Sequence, residues 1–429
     1  MFLSLWERCP KGREGMKKEI IIIGGGIIGL SCAYFLHKSG HQVTVIDQSK
    51  MDSGASYVNA GYLTPSHIIP LAAPGVMKKG LQWMFNSKSP LYIKPRLNSD
   101  LMRWAWAFNK SCTAQHVQKA IPAIAEINLF SRDLYDTIRK EENFNFQLEK
   151  KGLFMLCQTE NMLEEEDKVV QLAQKQGLDA RTLNAQEVQE MMPTPMDILG
   201  ATYYTCDHHT TPGEFMQDLK HYLENAGLTM RKEEKVLDIY TKNNTITGLE
   251  TDKGKLVADE YVLANGAWAT ALSRKLNINL LLQAGKGYRI QTEAKTGITY
   301  PSILAERKVA ITPMNGFTRF AGTMELAGIN HAINTQRVDA IAEGVTQYFP
   351  EIRITETEKN NAACGLRPVS PDGMPYIGRS STCNNLVIAT GHAMMGWSLG
   401  PGTGKLVQEL IDNQKPSLDL SMYHPDRKF

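Results

Sequence analysis

Apolar positions follow different rhythms along this chain. Residues 18 to 23 read KEIIII, an unbroken β-branched run that suits a strand buried on both faces. Residues 30 to 39 then predict a helix that Gly40 ends, and Val43-Thr44-Val45-Ile46 predicts a second strand closed by Asp47. Two later segments resemble this opening. Residues 256 to 264 predict a strand leading to a glycine turn at Gly266, and residues 385 to 390 predict another leading to Gly391. Helical spacing returns at 405 to 411.

The material between these segments is patterned differently. Residues 99 to 142 predict mainly helix, with apolar steps of three and four through Ile121, Ile124, Ile127, Phe130 and Leu134. Helices are also predicted over 163 to 177 and 213 to 226; Pro212 suits the first turn of the latter and Gly227 its stop. Residues 284 to 325 alternate in strand fashion, with turns expected at Gly297, at Pro313-Met314-Asn315-Gly316 and at Gly322. No internal repeat or low-complexity stretch interrupts the chain.

The predicted fold class is α/β. A discontinuous Rossmann-like domain would be assembled from residues 16–98, 200–270 and 357–429. An α+β substrate domain, 99–199 and 271–356, would place an antiparallel sheet over the cofactor. Residues 1–15 are expected to be a disordered extension ahead of Met16.

Composition narrows the class. A length of 429 residues suits two domains, and a net charge of +2 does not call for a nucleic-acid partner. Seven cysteines without a C-x-x-C pair suggest reduced thiols in the cytoplasm. No apolar run is long enough to span a bilayer, and the N-terminal stretch lacks an adequate signal-peptide core. Residues 71 to 93 mix Leu71, Val76, Leu81, Trp83, Met84, Phe85, Leu91 and Tyr92 with Lys78, Lys79 and Lys88. That mixture permits peripheral contact with the inner face of the cell membrane, or packing against the protein itself. Cys206-Asp207-His208-His209 resembles a metal cluster by composition only, because adjacent residues do not converge on one ion, and no metal is expected.

The most specific chemistry lies at the first turn. Gly24-Gly25-Gly26-Ile27-Ile28-Gly29 gives G-x-G-x-x-G between strand and helix, with an acid, Asp47, eighteen residues beyond the last glycine. Gly24 allows the tight turn, Gly26 lets backbone approach a pyrophosphate and Gly29 lets helix lie close to strand. The helix N-terminus offers N–H groups to phosphate, and Asp47 can accept ribose hydroxyls. This signature does not separate NAD from FAD. The small-residue loop Gly54-Ala55-Ser56, followed by Asn59-Ala60-Gly61, suits a chain passing along a pyrophosphate and flavin.

With these motifs the chain resembles the D-amino acid oxidase-like flavoprotein superfamily, which includes glycine and sarcosine oxidases, and most resembles its bacterial D-amino acid dehydrogenase type. The likeness is carried by GGGIIG with Asp47, GASYVNAG at 54 to 61, AAPG at 72 to 75, VLANGAW at 262 to 268 and GKGYRI at 285 to 290. FAGTMELAG at 320 to 328, CGLRPVSPDGMPYIG at 364 to 378 and GHAMMGWSLGPGTG at 391 to 404 complete it. Asp47 stands where the family more often has Glu.

The resemblance implies FAD, with contacts from the first turn through Gln48, from the 54–61 loop, from Val236 at the adenine, and from Ala264, Gly266 and Trp268. The segment from Gly391 and His392 to Gly404, with Met395, Gly396 and Trp397, would meet the isoalloxazine, its glycines permitting close approach, and the helix after it would direct its positive end at the ring. Some relatives attach FAD through a cysteine near position 365. Here the matching residue is Gly365 and Cys364 points the other way, so FAD is expected to be non-covalent. Arg367 is the expected substrate-carboxylate anchor, since a guanidinium matches a carboxylate bidentately. The backbone near Met394 is expected to receive the substrate amine; Tyr288 and Arg319 are roof-sheet candidates for substrate or structural roles.

The implied reaction is oxidative deamination of a D-amino acid or cyclic D-imino acid by hydride transfer from Cα to flavin N5. Electrons would pass to quinone, an electron-transfer protein or oxygen. A glycine or sarcosine-type oxidase using oxygen and a non-catalytic nucleotide-binding regulator remain alternatives.

Overall fold

The computed structural model describes residues 17–77, 91–94, 96 and 98–429. The expected extension 1–15 and most of the lysine- and aromatic-rich stretch within 71–93 lie outside them.

The N-terminal strand Glu19–Ile23 sits inside a six-stranded sheet. The strand order is Thr229–Arg231, Gln42–Ile46, Glu19–Ile23, Glu260–Leu263, Leu386–Thr390 and Tyr376–Arg379. All neighbours are parallel except the last pair. Alternation explains the KEIIII run: Ile20 and Ile22 enter one core, while Ile21 and Ile23 enter another on the opposite face. Each such side chain contributes about 1.5–3 kcal/mol when fully buried.

The helix Ile27–Lys38 covers one face of this sheet with Gly400–Ile411 against it. A Cβ at Gly404 would come within 2.5 Å of the Ser31 backbone, and one at Gly400 within 2.6 Å of Ile27. Gly402 faces Ser131 of the long helix Ala114–Glu141 and donates its N–H to that serine's Oγ at 3.0 Å. These three glycines therefore bring helices together. The close approach expected of them at the isoalloxazine is made to helices instead.

The second large sheet has nine strands. Along its main path run Ala363–Val369, Gln283–Thr292, Phe317–Leu326, Val309–Met314, Ser302–Leu304, Leu153–Cys157, Gly200–Tyr204 and Ala180–Asn184, and Leu91–Ile93 pairs beside Phe317–Leu326. The sheet is mixed where an antiparallel one was expected, because Ser302–Leu304 runs parallel to Leu153–Cys157 and Leu91–Ile93 runs parallel to its neighbour. Two strands assigned from sequence to the cofactor unit, Gly200–Tyr204 and Ala363–Val369, hydrogen-bond into this sheet instead. The helix Thr335–Tyr348 covers one face. Gly322, expected at a turn, lies in mid-strand, and the hairpin turns at Asn315-Gly316.

The predicted 99–142 helix divides into Ser99–Ser111 and Ala114–Glu141, with Asn98 and Thr113 capping their N-termini. Among the described residues no helix is long and apolar enough to cross a membrane.

Candidate functional site

The first glycine turn is assembled by backbone. Gly24 has φ +114 and donates its N–H to Ile46 O at 2.8 Å, tying turn to second strand. A Cβ at Gly29 would collide with the Gly24 carbonyl, so this contact requires glycine. Gly26 is the N-cap of Ile27–Lys38, with no side-chain cap and no acid in the first turn. Ile27 N–H donates to Ser56 Oγ at 3.0 Å, which leaves the first-turn N–H groups of Ile28 and Gly29 for an outside acceptor. The buried side chains of Ile27 and Ile28 serve the core, so these residues offer backbone only.

Asp47 is already engaged. One carboxylate oxygen accepts Gly25 N–H at 2.7 Å and the other accepts Ser49 N–H and Oγ–H, each at 2.7 Å. Its backbone O accepts Glu234 N–H, which brings the 233–236 segment, and Val236 with it, beside this acid. Gln48 is exposed. Ala264 abuts Gly24 across the parallel strands, and Gly266 O accepts the Thr390 hydroxyl. The Trp268 ring is stacked on His331, with centroids 6.1 Å apart.

The 54–61 loop packs beneath one face of the nine-stranded sheet. Gly54 O accepts Tyr57 and Val58 N–H groups, Asn59 Oδ1 accepts Gly61 N–H, and Ala60 O accepts the Thr312 hydroxyl. Gly365 approaches so closely that a Cβ there would lie 2.8 Å from Ala55 Cα. No cysteine side chain fits at that position. Cys364 points its Sγ to His331 O on the other side, 3.5 Å away.

Arg367 shares the loop-facing side of the sheet with Gly365. Register sets Gly365 opposite Gly287 and Arg367 opposite Gly285. The Arg367 guanidinium lies over Gly287, where a Cβ would strike it. A bulge between Lys286 and Tyr288 puts Thr323 at φ +58, rare for a β-branched residue. The bulge turns Thr323 O to accept Arg367 Nη1–H at 3.1 Å. Burial pushes the guanidinium down to about 10, which leaves it cationic at neutral pH. Among the described residues no carboxylate pairs with it.

The other two roof candidates separate. Tyr288 is one residue out of phase and faces the helix-covered side, with its hydroxyl donating to buried Glu325 at 2.7 Å. Strand alternation thus removes Tyr288 from the site. Arg319 is on the loop side, where its Nη1 donates to Tyr57 O at 2.9 Å and Asn59 O at 2.6 Å. It is a positioning residue that holds the loop to the sheet.

The 391–397 segment closes the site beside Arg367: Val369 bridges to His392, and Ala393, at φ +47, donates its N–H to Pro368 O. Gly391 leaves room for the Tyr376 ring. His392 Nε2 lies 2.9 Å from Thr403 Oγ1, and burial pulls the imidazole down to about 3, so it is neutral at pH 7. Met394 is half exposed, and Met395 N–H donates to His392 O. Gly396 sits over His392. Trp397 departs from expectation: its indole N–H donates to Thr210 Oγ1 at 2.9 Å and its ring packs with Tyr135 and Phe215, so the side chain belongs to the core.

The arrangement fits a dinucleotide flavin. The uncapped helix N-terminus can hold pyrophosphate, and buried polar atoms without partners, Asn265 Oδ1, Thr323 Oγ1 and His392 Nδ1, lie on the segments around the site. Sequence reasoning missed Gly285, Gly287 and Thr323. Two glycines at alternate positions of a strand, where glycine is disfavoured, were the available signal.

The βαβ glycine turn, the small-residue loop and a roof sheet whose Arg367 meets no carboxylate among the described residues together suit an FAD-binding oxidoreductase. The chain belongs to the DAO family of FAD-dependent oxidoreductases, whose model matches residues 19–410. It is 33% identical over 402 residues to a D-amino acid dehydrogenase of Helicobacter pylori, covering 92% of this chain and 95% of that protein. It is 30% identical over 417 residues to one of Vibrio vulnificus (strain CMCP6), covering 94% and 99%. Among solved structures it resembles glycine oxidase from Geobacillus kaustophilus, with TM-score 0.77, 22% identity and coverage of 96% and 99%. Glycine oxidase from Bacillus cereus ATCC 14579 gives TM-score 0.72 at 25% identity, covering 96% of this chain and 99% of that one.

Proposed function

We propose that this enzyme oxidises a D-amino acid or cyclic D-imino acid to the imine, with Arg367 holding the substrate α-carboxylate. The observation that carries the reading is the Arg367 guanidinium seated over Gly287, supported by the Thr323 carbonyl and without an acidic partner among the described residues. A bidentate contact there would fix one end of the substrate and orient its Cα–H. Non-covalently bound FAD supplies the two-electron acceptor for that bond.

The rest of the site does positional work. Arg319 holds the 57–59 backbone under the roof, and the first-turn N–H groups of Ile28 and Gly29 receive phosphate. His392 is tied to Thr403, and burial pulls its imidazole down to about 3, too weak a base to suit accepting the substrate proton. In this reading the amine reacts in its neutral form and passes no proton to His392. Support for the D-configuration comes from the relatives named D-amino acid dehydrogenase.

The test is the absorption spectrum of purified protein followed by an anaerobic screen. The protein is expected to be yellow, to release FAD on denaturation, and to be bleached by D-amino acids or D-proline derivatives. Bleaching by glycine and sarcosine alone, with peroxide formed in air, would favour the oxidase reading that the likeness to glycine oxidases supports. Dye reduction without peroxide would favour a quinone or electron-transfer protein as acceptor. For a membrane quinone, residues 71–93 are the expected place of contact with anionic lipid; Leu71, Val76 and Leu91 favour the alternative, since they pack against the core around Trp104 and Phe108, and retention on anionic vesicles at low salt decides between the two.

A further inference from the structure

The loop-facing side of the roof sheet carries a second arginine with no assigned task. Arg289 lies two residues beyond Gly287 on the same strand, opposite Ala321 and Ala363 in the two neighbouring registers. Alternation puts it on the face of Gly287, Gln291, Arg319 and Arg367. Arg319 confirms that face, since its Nη2 reaches Gln291 Oε1 at 3.4 Å while its Nη1 binds loop carbonyls below. Arg289 Nε is buried without a hydrogen-bond partner, and the residue as a whole is only partly exposed.

Charge makes this arrangement unusual. Arg289, Arg319 and Arg367 share one face, and among the described residues none is paired with an acid. The buried carboxylate of the same sheet, Glu325, is turned to the opposite face, where Tyr288 and Lys286 hold it. Arg319 binds two carbonyls, and Arg367 is taken by the α-carboxylate. Arg289 has neither, and a partly buried arginine without a counter-charge, its Nε shut off from solvent, can take an anion from outside.

We propose that Arg289 is a second anion anchor, and that the preferred substrates are amino acids bearing a second carboxylate on the side chain. The proposal rests on Arg367 as the α-carboxylate anchor. Spacing supports it: the strand rises about 3.4 Å per residue, so the Arg289 Cβ lies roughly 7 Å along the face from the position over Gly287 that the Arg367 guanidinium occupies. Two arginines rooted on one face at this spacing can between them reach the two carboxylates of an aspartate- or glutamate-like molecule.

Titration of the yellow protein with glutarate and with butyrate, neither of which can be oxidised, reads binding through the flavin spectrum. Glutarate is expected to bind at least about tenfold more tightly than butyrate. Arg289→Gln should erase that preference while leaving butyrate unchanged, and Arg289→Lys should restore part of it. D-Glutamate should likewise be preferred to its neutral isostere D-glutamine in the native protein only. Equal affinity for glutarate and butyrate, or an Arg289→Gln variant that keeps the preference, overturns the proposal. So does loss of flavin from Arg289→Gln with retention in Arg289→Lys, because the cation then serves the cofactor. If D-alanine bleaches the flavin and dicarboxylates show no advantage, only this inference fails. If no D-amino acid bleaches it, the parent reading fails with it.

Discussion

The glycine turn at Gly24–Gly29 and the roof over it reach their geometry by opposite routes. The turn is built within about thirty residues of continuous chain, mainly from backbone groups and the absence of side chains, with Asp47 and, from farther on, Ser56 accepting its Gly25 and Ile27 N–H groups. Its essential contact, Gly29 against the Gly24 carbonyl, tolerates no substitution. The roof is built from side chains on strands drawn from across some ninety residues of sequence, including Gln283–Thr292, Phe317–Leu326 and Ala363–Val369. One bulge at Thr323 and two alternate glycines decide where its arginine points. A cradle for a common group such as pyrophosphate needs no side-chain identity; discrimination among substrates does.

Substitutions separate the two regions. The largest effect is expected in the turn: Gly29→Val should give colourless protein, checked by absorbance, because the helix cannot approach the strand. Yellow, stable Gly29→Val protein would mean that the close approach does not serve the cofactor. In the roof, Arg319→Met should leave Tyr57 O and Asn59 O unpaired and cost about 1–3 kcal/mol for each, measured by denaturant unfolding. Flavin should then dissociate more readily; unchanged stability would remove Arg319 from its positioning role.

The smallest effect is expected at His392. Its folded-state value is depressed to about 3 against an ordinary 6.5, so the stability linked to it is complete above pH ~6.5 and is lost as pH falls towards 3. Between pH 6.5 and 8 it stays neutral. His392→Gln should therefore change kcat/KM by less than about tenfold and leave the shape of its pH profile unaltered. A lost limb near neutral pH would make His392 the base.

Legibility in the sequence follows the same division. The strand, turn, helix and acid from 18 to 47 were readable because each part is local and periodic. The roof's alternation was readable as strand, yet the side to which Tyr288 points was not, since a one-residue phase and a bulge set it. Glycines 400, 402 and 404 misled for a related reason. Composition shows that something approaches closely, while only tertiary structure shows that the visitors are Ile27, Ser131 and Ser31. Trp397 likewise follows a glycine-rich segment into the core, and its partners Thr210, Tyr135 and Phe215 are distant in sequence.

The central claim is that Arg367 holds the carboxylate of a D-configured substrate above FAD. Anaerobic mixing of native protein and Arg367→Leu with paired D- and L-amino acids, followed by flavin absorbance, tests it directly. Native protein is expected to be bleached by D enantiomers only, and Arg367→Leu to stay yellow but lose roughly one to three decades in specificity constant. Bleaching by L enantiomers, or an Arg367→Leu variant as fast as the native enzyme, would contradict it.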